Sequence, residues 1–299
     1  MAFSAAEDTI TLTNDDDTER ETEAYWTPER MKAAKPLPIP LLSAADRERL
    51  AKHVRETPNP DVPRMLPSSD GKPKKVGGTP ARENVKKRPF WNCGKMFMRG
   101  SDGQDYAGSM SFVGSNTVLM TAAHCVYDAE PDKWCTKIKF VRAYANGGGQ
   151  NVKWKCMSVW KAWSANKQEN WAWDYAFVKT ATKSGAGWLG LTTGAPYQSF
   201  MAMGYPKAFD NAKYLQGCTG SIGTIAGNIV QMVGNPMGKG ASGGPWVGNV
   251  NGKNAPNENI AQGVNSYIVS NPPTEMYGPY FDGDTWNLYQ YVSDCKCRT

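Results

Sequence analysis

Gly238-Lys239-Gly240-Ala241-Ser242-Gly243-Gly244-Pro245 is the stretch on which the reading of this 299-residue chain turns. Glycines on both sides of Ser242 let the backbone turn sharply and let a carbonyl group approach closely. In such a turn the amides of Gly240 and Ser242 converge on one spot, the arrangement of an oxyanion hole. The same residues satisfy the G-x-S-x-G elbow of α/β-hydrolases, whose histidine follows the serine. No histidine follows Ser242, so that fold is excluded and any Ser-His pair has its histidine upstream; subtilisin order, with an acid ahead of the histidine, stays open, although the acids there lie in linker-like sequence.

The chain has two histidines, His53 and His124. His53 sits in a charged helical segment and reads as a surface residue. His124 sits in Thr121-Ala122-Ala123-His124-Cys125, directly after the strand-like Val113–Met120. Between His124 and Ser242 lies Trp173-Asp174-Tyr175-Ala176-Phe177-Val178, with an acid at the head of an apolar strand. A carboxylate placed there is buried against an imidazole, fixes its tautomer and stabilises its charged form. Each residue alone has a plain structural explanation. The scarcity of histidine and the order His, Asp, Ser make them a set.

In that order the three segments resemble the signatures of chymotrypsin-fold (trypsin-like) serine peptidases. The closer resemblance is to the glutamyl-endopeptidase-like, secreted microbial branch. It is carried by Gly94-Lys95-Met96-Phe97, Phe140–Gly148, Gly204-Tyr205-Pro206, Val264-Asn265-Ser266-Tyr267 and Gly278-Pro279-Tyr280-Phe281, with Lys35-Pro36-Leu37-Pro38 as an echo of a pro-segment. The resemblance implies an all-β fold of two six-stranded antiparallel β-barrels with a short C-terminal helix. It implies His124, Asp174 and Ser242 as a catalytic triad, an oxyanion hole from Gly240 and Ser242, and an acyl-enzyme on Ser242. It also places a substrate pocket at Pro236, Met237, Lys239, Ser266, Tyr267 and Ile268. No metal and no cofactor is required.

The chain departs from the family pattern in three places. Ala241 stands where trypsin-like zymogens carry the aspartate that receives a freed N-terminal amine. The usual partner position of Cys125 falls in Gly108-Ser109-Met110-Ser111, so Cys125 pairs elsewhere, with Cys135 as a local candidate, or stays free. The pocket has neither a carboxylate floor for Lys or Arg nor a histidine for Glu, and Ile268 narrows it.

Working outward, residues 93–299 hold all seven cysteines. That clustering points to disulfides and an oxidising compartment. Short apolar stretches (Gly94–Met98, Ser109–Val118, Ile138–Tyr144, Tyr175–Val178, Asn228–Val233, Pro245–Val250, Ala261–Val269) alternate with Gly and Asn-Gly turns, as all-β folds do. Asp284 is read as the cap of a helix ending near Ser293. The first 23 residues carry eight acids and one base. Residues 1–24 are accordingly expected to be disordered. Pro36-Leu37-Pro38-Ile39-Pro40 is extended by necessity, and Ser43 caps a helix over 44–56. Residues 57–89, rich in Pro, Gly and Lys, read as a linker that ends in the basic run Lys86-Lys87-Arg88.

The expected organisation is thus a largely irregular pro-segment over 1–90 and a peptidase domain over 91–299. Expected partners are protein or peptide substrates and the chain's own pro-segment as an inhibitor. The mildly basic surface lacks an Arg-and-aromatic nucleic-acid face, no apolar run is long enough to cross a membrane, and a monomer is expected. The branch resembled is extracellular, although no signal peptide is visible. The alternatives are a silent protease-fold binding protein and an esterase using the same nucleophile.

Overall fold

The computed structural model describes residues 7–51, 79–167, 169–253 and 258–294. His53 lies outside the described residues, as does the expected helix beyond residue 51. The chain opens with β1 (Thr9–Thr13), α1 (Asp16–Tyr25), α2 (Pro28–Ala33), β2 (Lys35–Pro36), α3 (Ala44–Ala51) and β3 (Ala81–Arg82). Then follow β4 (Cys93–Arg99), β5 (Asp105–Phe112), β6 (Val118–Thr121), β7 (Tyr127–Asp128), β8 (Lys133–Trp134), β9 (Thr136–Ala145), β10 (Gly148–Val152), β11 (Trp154–Trp160) and β12 (Ala176–Thr180). The remainder holds β13 (Gly190–Leu191), β14 (Ser199–Gly204), β15 (Gln216–Ala226), β16 (Ile229–Val233), β17 (Pro245–Gly248), β18 (Ile260–Val264), β19 (Glu275–Pro279) and α4 (Gly283–Ser293).

Two curled sheets carry these strands. In the first, β11, β12, β6, β5, β4 and β9 are neighbours in that order, with β10 continuing from β9 and β1 added outside β11. The indole of Trp154 on β11 donates to the Ile138 carbonyl on β9 at 3.1 Å, where the curl brings the ends together. In the second, β18, β17, β14, β15, β16 and β19 follow one another. The Ser266 and Tyr267 amides, just past β18, donate to the Tyr277 carbonyl on β19 and complete the turn of the barrel. Each barrel is filled by large side chains without solvent contact, among them Phe97, Phe112 and Phe140 in the first and Trp246 in the second. This is the expected pair of six-stranded chymotrypsin-like barrels.

The expected disorder of residues 1–24 is corrected for residues 7–24. Strand β1 pairs antiparallel with β11 from Thr9↔Trp160 to Thr13↔Cys156, so an open sheet edge supplies the partner that the segment lacks by itself. Helix α1 has Asp15 as N-cap, whose side chain accepts from the Thr18 amide. Its acids meet bases on β9, Glu21 with Lys137 and Glu23 with Lys139 at 2.6 Å each. Trp26 is buried against Phe97. The acidic composition that argues for disorder is thus complementary to one basic strand.

Two further corrections concern local chemistry. Asp282, not Asp284, caps α4: its carboxylate accepts from the Asp284 and Thr285 amides while the Thr285 hydroxyl bonds back. Cys125 and Cys135 are not paired. Cys93, Cys125, Cys135 and Cys218 are buried free thiols, and burial pushes Cys93, Cys135 and Cys218 up, away from reactivity. Cys156 differs in being disulfide-bonded.

Trp26→Ala in the full chain is expected to lower stability by about 3 kcal/mol, because a large buried aromatic is removed. Urea denaturation measures it, and an unchanged midpoint would show that the N-terminal segment is not docked.

Candidate active site

His124 lies in a short 3-10 turn (Ala123–Cys125) reached directly from β6. Asp174 lies between the turn Trp171–Trp173 and β12. Because β6 and β12 pair with Ala176 opposite Thr121, the two side chains emerge at the same end of the first barrel. The Asp174 carboxylate is fully buried. One oxygen accepts the His124 backbone N–H at 2.9 Å, and the other faces His124 Nδ1 at 2.8 Å. The Ser266 hydroxyl, from the second barrel, donates to Asp174 Oδ2 at 2.5 Å. The imidazole is thereby held with Nδ1 toward the acid and Nε2 directed elsewhere. Trp171 meets the ring edge-on at 6.1 Å and walls it from one side.

Burial alone would pull the His124 imidazole down, but the Asp174 carboxylate, with the Cys125 sulfur adding to it, holds it well above the ordinary histidine value. The Cys125 sulfur lies 3.8 Å from Nε2.

Ser242 sits in the loop between β16 and β17, on the second barrel. Its carbonyl accepts the Ser109 amide of β5 at 2.8 Å, which ties the loop across to the first barrel. Gly243 follows at φ +80°, and a Cβ there would lie 2.1 Å from Thr121 Oγ1 and 3.0 Å from the Ala122 nitrogen. No side chain fits, so the Ser242 loop rests directly on the backbone that leads into His124. Ser242 Oγ is buried and has no hydrogen-bond partner among the described residues. The structure therefore brings His124 and Asp174 into contact and packs the Ser242 loop beside them, but the Ser242–His124 hydrogen bond is not made.

The Gly240 amide, at φ +88°, donates to the Leu37 carbonyl at 3.1 Å. An amide of the expected oxyanion hole thus already points at a carbonyl oxygen. The loop is held by residues that the motif reading passed over. Ser109 Oγ donates to the Gly240 carbonyl at 2.9 Å. Asn265, fully buried, donates through Nδ2 to the Ala241 and Met203 carbonyls and accepts through Oδ1 from Trp246 Nε1 at 2.7 Å and Asn235 Nδ2 at 3.0 Å. Its backbone also bonds to Gly243 and Gly244. A buried Asn between a strand and Ser266 was the one available signal for this role.

Of the expected pocket residues, Met237 and Ile268 are buried in one apolar cluster with Ala241, Trp246 and Met276. Pro236 is half-buried and Lys239 is exposed. Ser266 serves Asp174, while Tyr267 stacks on Tyr277 at 5.1 Å.

The trypsin-like peptidase domain family matches residues 108–253. The protease Anisep from Arthrobacter nicotinovorans is 26% identical, with a TM-score of 0.61, covering 72% of this chain and all of that one. The thermostable serine protease AL20 from an extremophilic microorganism is 24% identical, with a TM-score of 0.56, over 69% of this chain and 98% of that one. A Glu endopeptidase shares the fold at 18% identity and a TM-score of 0.58, over 74% of this chain and all of that one. A search of curated proteins found no significant match. The chain carries a trypsin-like peptidase domain with the chymotrypsin fold. Its activity class is accordingly that of a peptidase, acting on protein or peptide substrates.

Asn265→Ala is expected to cost roughly 3 kcal/mol, since it strands the Trp246 and Asn235 donors in the interior; equilibrium denaturation checks this, and a loss below 1 kcal/mol would contradict it. A second expectation concerns pH. Only neutral imidazole accepts a proton, so kcat/KM of the active form should fall as pH drops through a midpoint above about 6.5. The pairing with Asp174 also contributes stability that is complete below that value and is lost as pH rises through the raised one. A midpoint at or below the ordinary value would refute the stated role of Asp174.

Proposed function

We propose that this protein is a serine endopeptidase made as a zymogen, with residues 1–90 as its pro-segment and 91–299 as its peptidase domain. The observation that carries this reading is the buried carboxylate of Asp174 bonded to the Nδ1 side of His124 beside a glycine-flanked serine. In the mechanism, Nε2 of His124 takes the Ser242 proton as the oxygen attacks the scissile carbonyl. The amides of Gly240 and Ser242 receive the negative charge that develops on the carbonyl oxygen. His124 then returns the proton to the leaving amine, which departs and leaves Ser242 acylated. Water, deprotonated by the same imidazole, releases the acid and restores the serine. Asp174 orients the ring and stabilises its charged form throughout.

The unmade Ser242–His124 bond fits a state in which the cleft is occupied and the pair closes on productive substrate binding. Similarity to microbial proteases supports an extracellular enzyme, which we take to act as a monomer, and among the described residues no helix is long and apolar enough to cross a membrane.

A fluorophosphonate probe tests the nucleophile. Labelling of the active form is expected at Ser242 and is abolished in Ser242→Ala, while Asp174→Asn lowers kcat about 10^4-fold. Hydrolysis retained in Ser242→Ala at the wild-type rate would rule out this serine. Turnover of small esters with casein untouched would favour an esterase, and absence of labelling in every form would favour a silent binding protein.

A further inference from the structure

The segment Pro36–Leu42 runs through the candidate site, and its contacts are specific. Lys35 and Pro36 pair parallel with Tyr106 and Ala107 of β5. The Leu37 amide donates to the Ala107 carbonyl at 2.8 Å, and the Leu37 carbonyl accepts from Gly240 at 3.1 Å. Beyond it, the Pro40 carbonyl accepts the Ile268 amide and the Leu42 amide donates to the Ile268 carbonyl, both at 2.9 Å. Leu41 forms a parallel bridge with Ile268. The segment therefore crosses from the first barrel, over the nucleophile loop, to the second.

Side chains along it alternate as an extended chain requires. Leu37 and Ile39 are buried, while Pro38 is exposed. Ile39 belongs to the apolar cluster of Met237, Ala241, Ile268 and Met276, the residues around the expected pocket. Three prolines fix much of the backbone before it docks, so little conformational entropy is lost on binding.

The register is the decisive feature. In a productive complex one residue supplies both the carbonyl in the oxyanion hole and the side chain in the adjoining pocket. Here the carbonyl that meets the Gly240 amide is that of Leu37, whereas the side chain buried in the cluster with Met237 and Ile268 is that of Ile39, two residues later. No bond of the segment combines both requirements, and the amide after Leu37 is the tertiary one to Pro38. The pocket wall offers methionine, alanine and isoleucine to its occupant, with the Lys239 side chain in solvent.

We propose that Pro36–Leu42 is an intramolecular inhibitory strap held in a non-cleavable register, and that the pocket filled by Ile39 selects an aliphatic side chain at the residue preceding the scissile bond. This rests on the serine-peptidase reading above and names the regulation and substrate class of that same site. Release requires displacement of the strap rather than rebuilding of the loop, because the Gly240 amide is already aimed by Ser109 and Asn265.

The test uses the full chain with Ile39→Asp and the milder Ile39→Ala, each first shown to be folded by circular dichroism and thermal melting. Amide hydrogen exchange at Gly240 is expected to accelerate at least tenfold in both, more for Asp, and fluorophosphonate labelling of Ser242 to accelerate in step. A synthetic peptide spanning residues 35–42 should slow labelling of the Asp variant in trans and be recovered intact by mass spectrometry. On a peptide library the Asp variant should prefer Val, Ile or Leu over Glu, Lys and Arg by tenfold or more before the cut bond. Unchanged exchange and labelling in folded variants overturns the strap. Cleavage of the peptide overturns the register, and a preference for Glu or a basic residue overturns the substrate class. Faster exchange with no labelling in any variant would instead sink the serine-peptidase reading on which the proposal rests.

Discussion

The Asp174 carboxylate is the constraint around which the site is built. It carries no solvent contact, and such a group is stable in the interior only when its charge is matched and its lone pairs are occupied. It meets that condition with the backbone and ring of His124 on its own barrel and the hydroxyl of Ser266 on the other. One buried acid therefore sets the histidine's tautomer, its proton affinity and the relative placement of the two barrels. Trp171, packed on His124, Trp163 and Tyr267, excludes water from this contact and keeps the electrostatic attraction strong.

On the other side of the cleft the Ser242 loop is held by a second polar network centred on Asn265. The side-chain amide of Asn265 spans Ala241, Met203, Trp246 and Asn235, so the loop, two strands and the pocket share one hub. A fully satisfied network of this kind is rigid. Rigidity is what electrostatic stabilisation of a transition state needs, since donors that are already aimed need no reorganisation as charge develops.

How far the sequence spoke depended on whether a signal was local. The barrel strands β4, β9, β12, β16 and β17 are legible because each is a short apolar run bounded by turn residues. Strand β15 (Gln216–Ala226) is not, because Gly217, Gly220 and Gly223 break up its apolar pattern. In the fold they are sites of close approach, and a Cβ on Gly220 would lie 2.3 Å from the Val233 carbonyl. Strand β1 is illegible for another reason: Thr9–Thr13 has no core of its own, and its partner, from Trp160 back to Cys156 on β11, is remote in sequence. The free Cys125 shows the same limit, since cysteine counts carry no geometry. The expected pocket rested on resemblance alone. That Ile39 fills it depends on contacts between segments remote in sequence.

Ala241 removes the acid that would anchor a newly made chain terminus, and Ser109 and Asn265 fix the loop in its place. In the zymogen proposed above, the amine at the start of the peptidase domain then has no structural duty. Under that proposal the boundary between pro-segment and enzyme is free to be ragged, and a tag, a linker or a second module joined ahead of β4 would not disturb the loop around the Gly240 amide. On the proposed reading, the fold separates two things that trypsin-like zymogens combine, the place where the chain is cut and the shape of the site that the cut exposes.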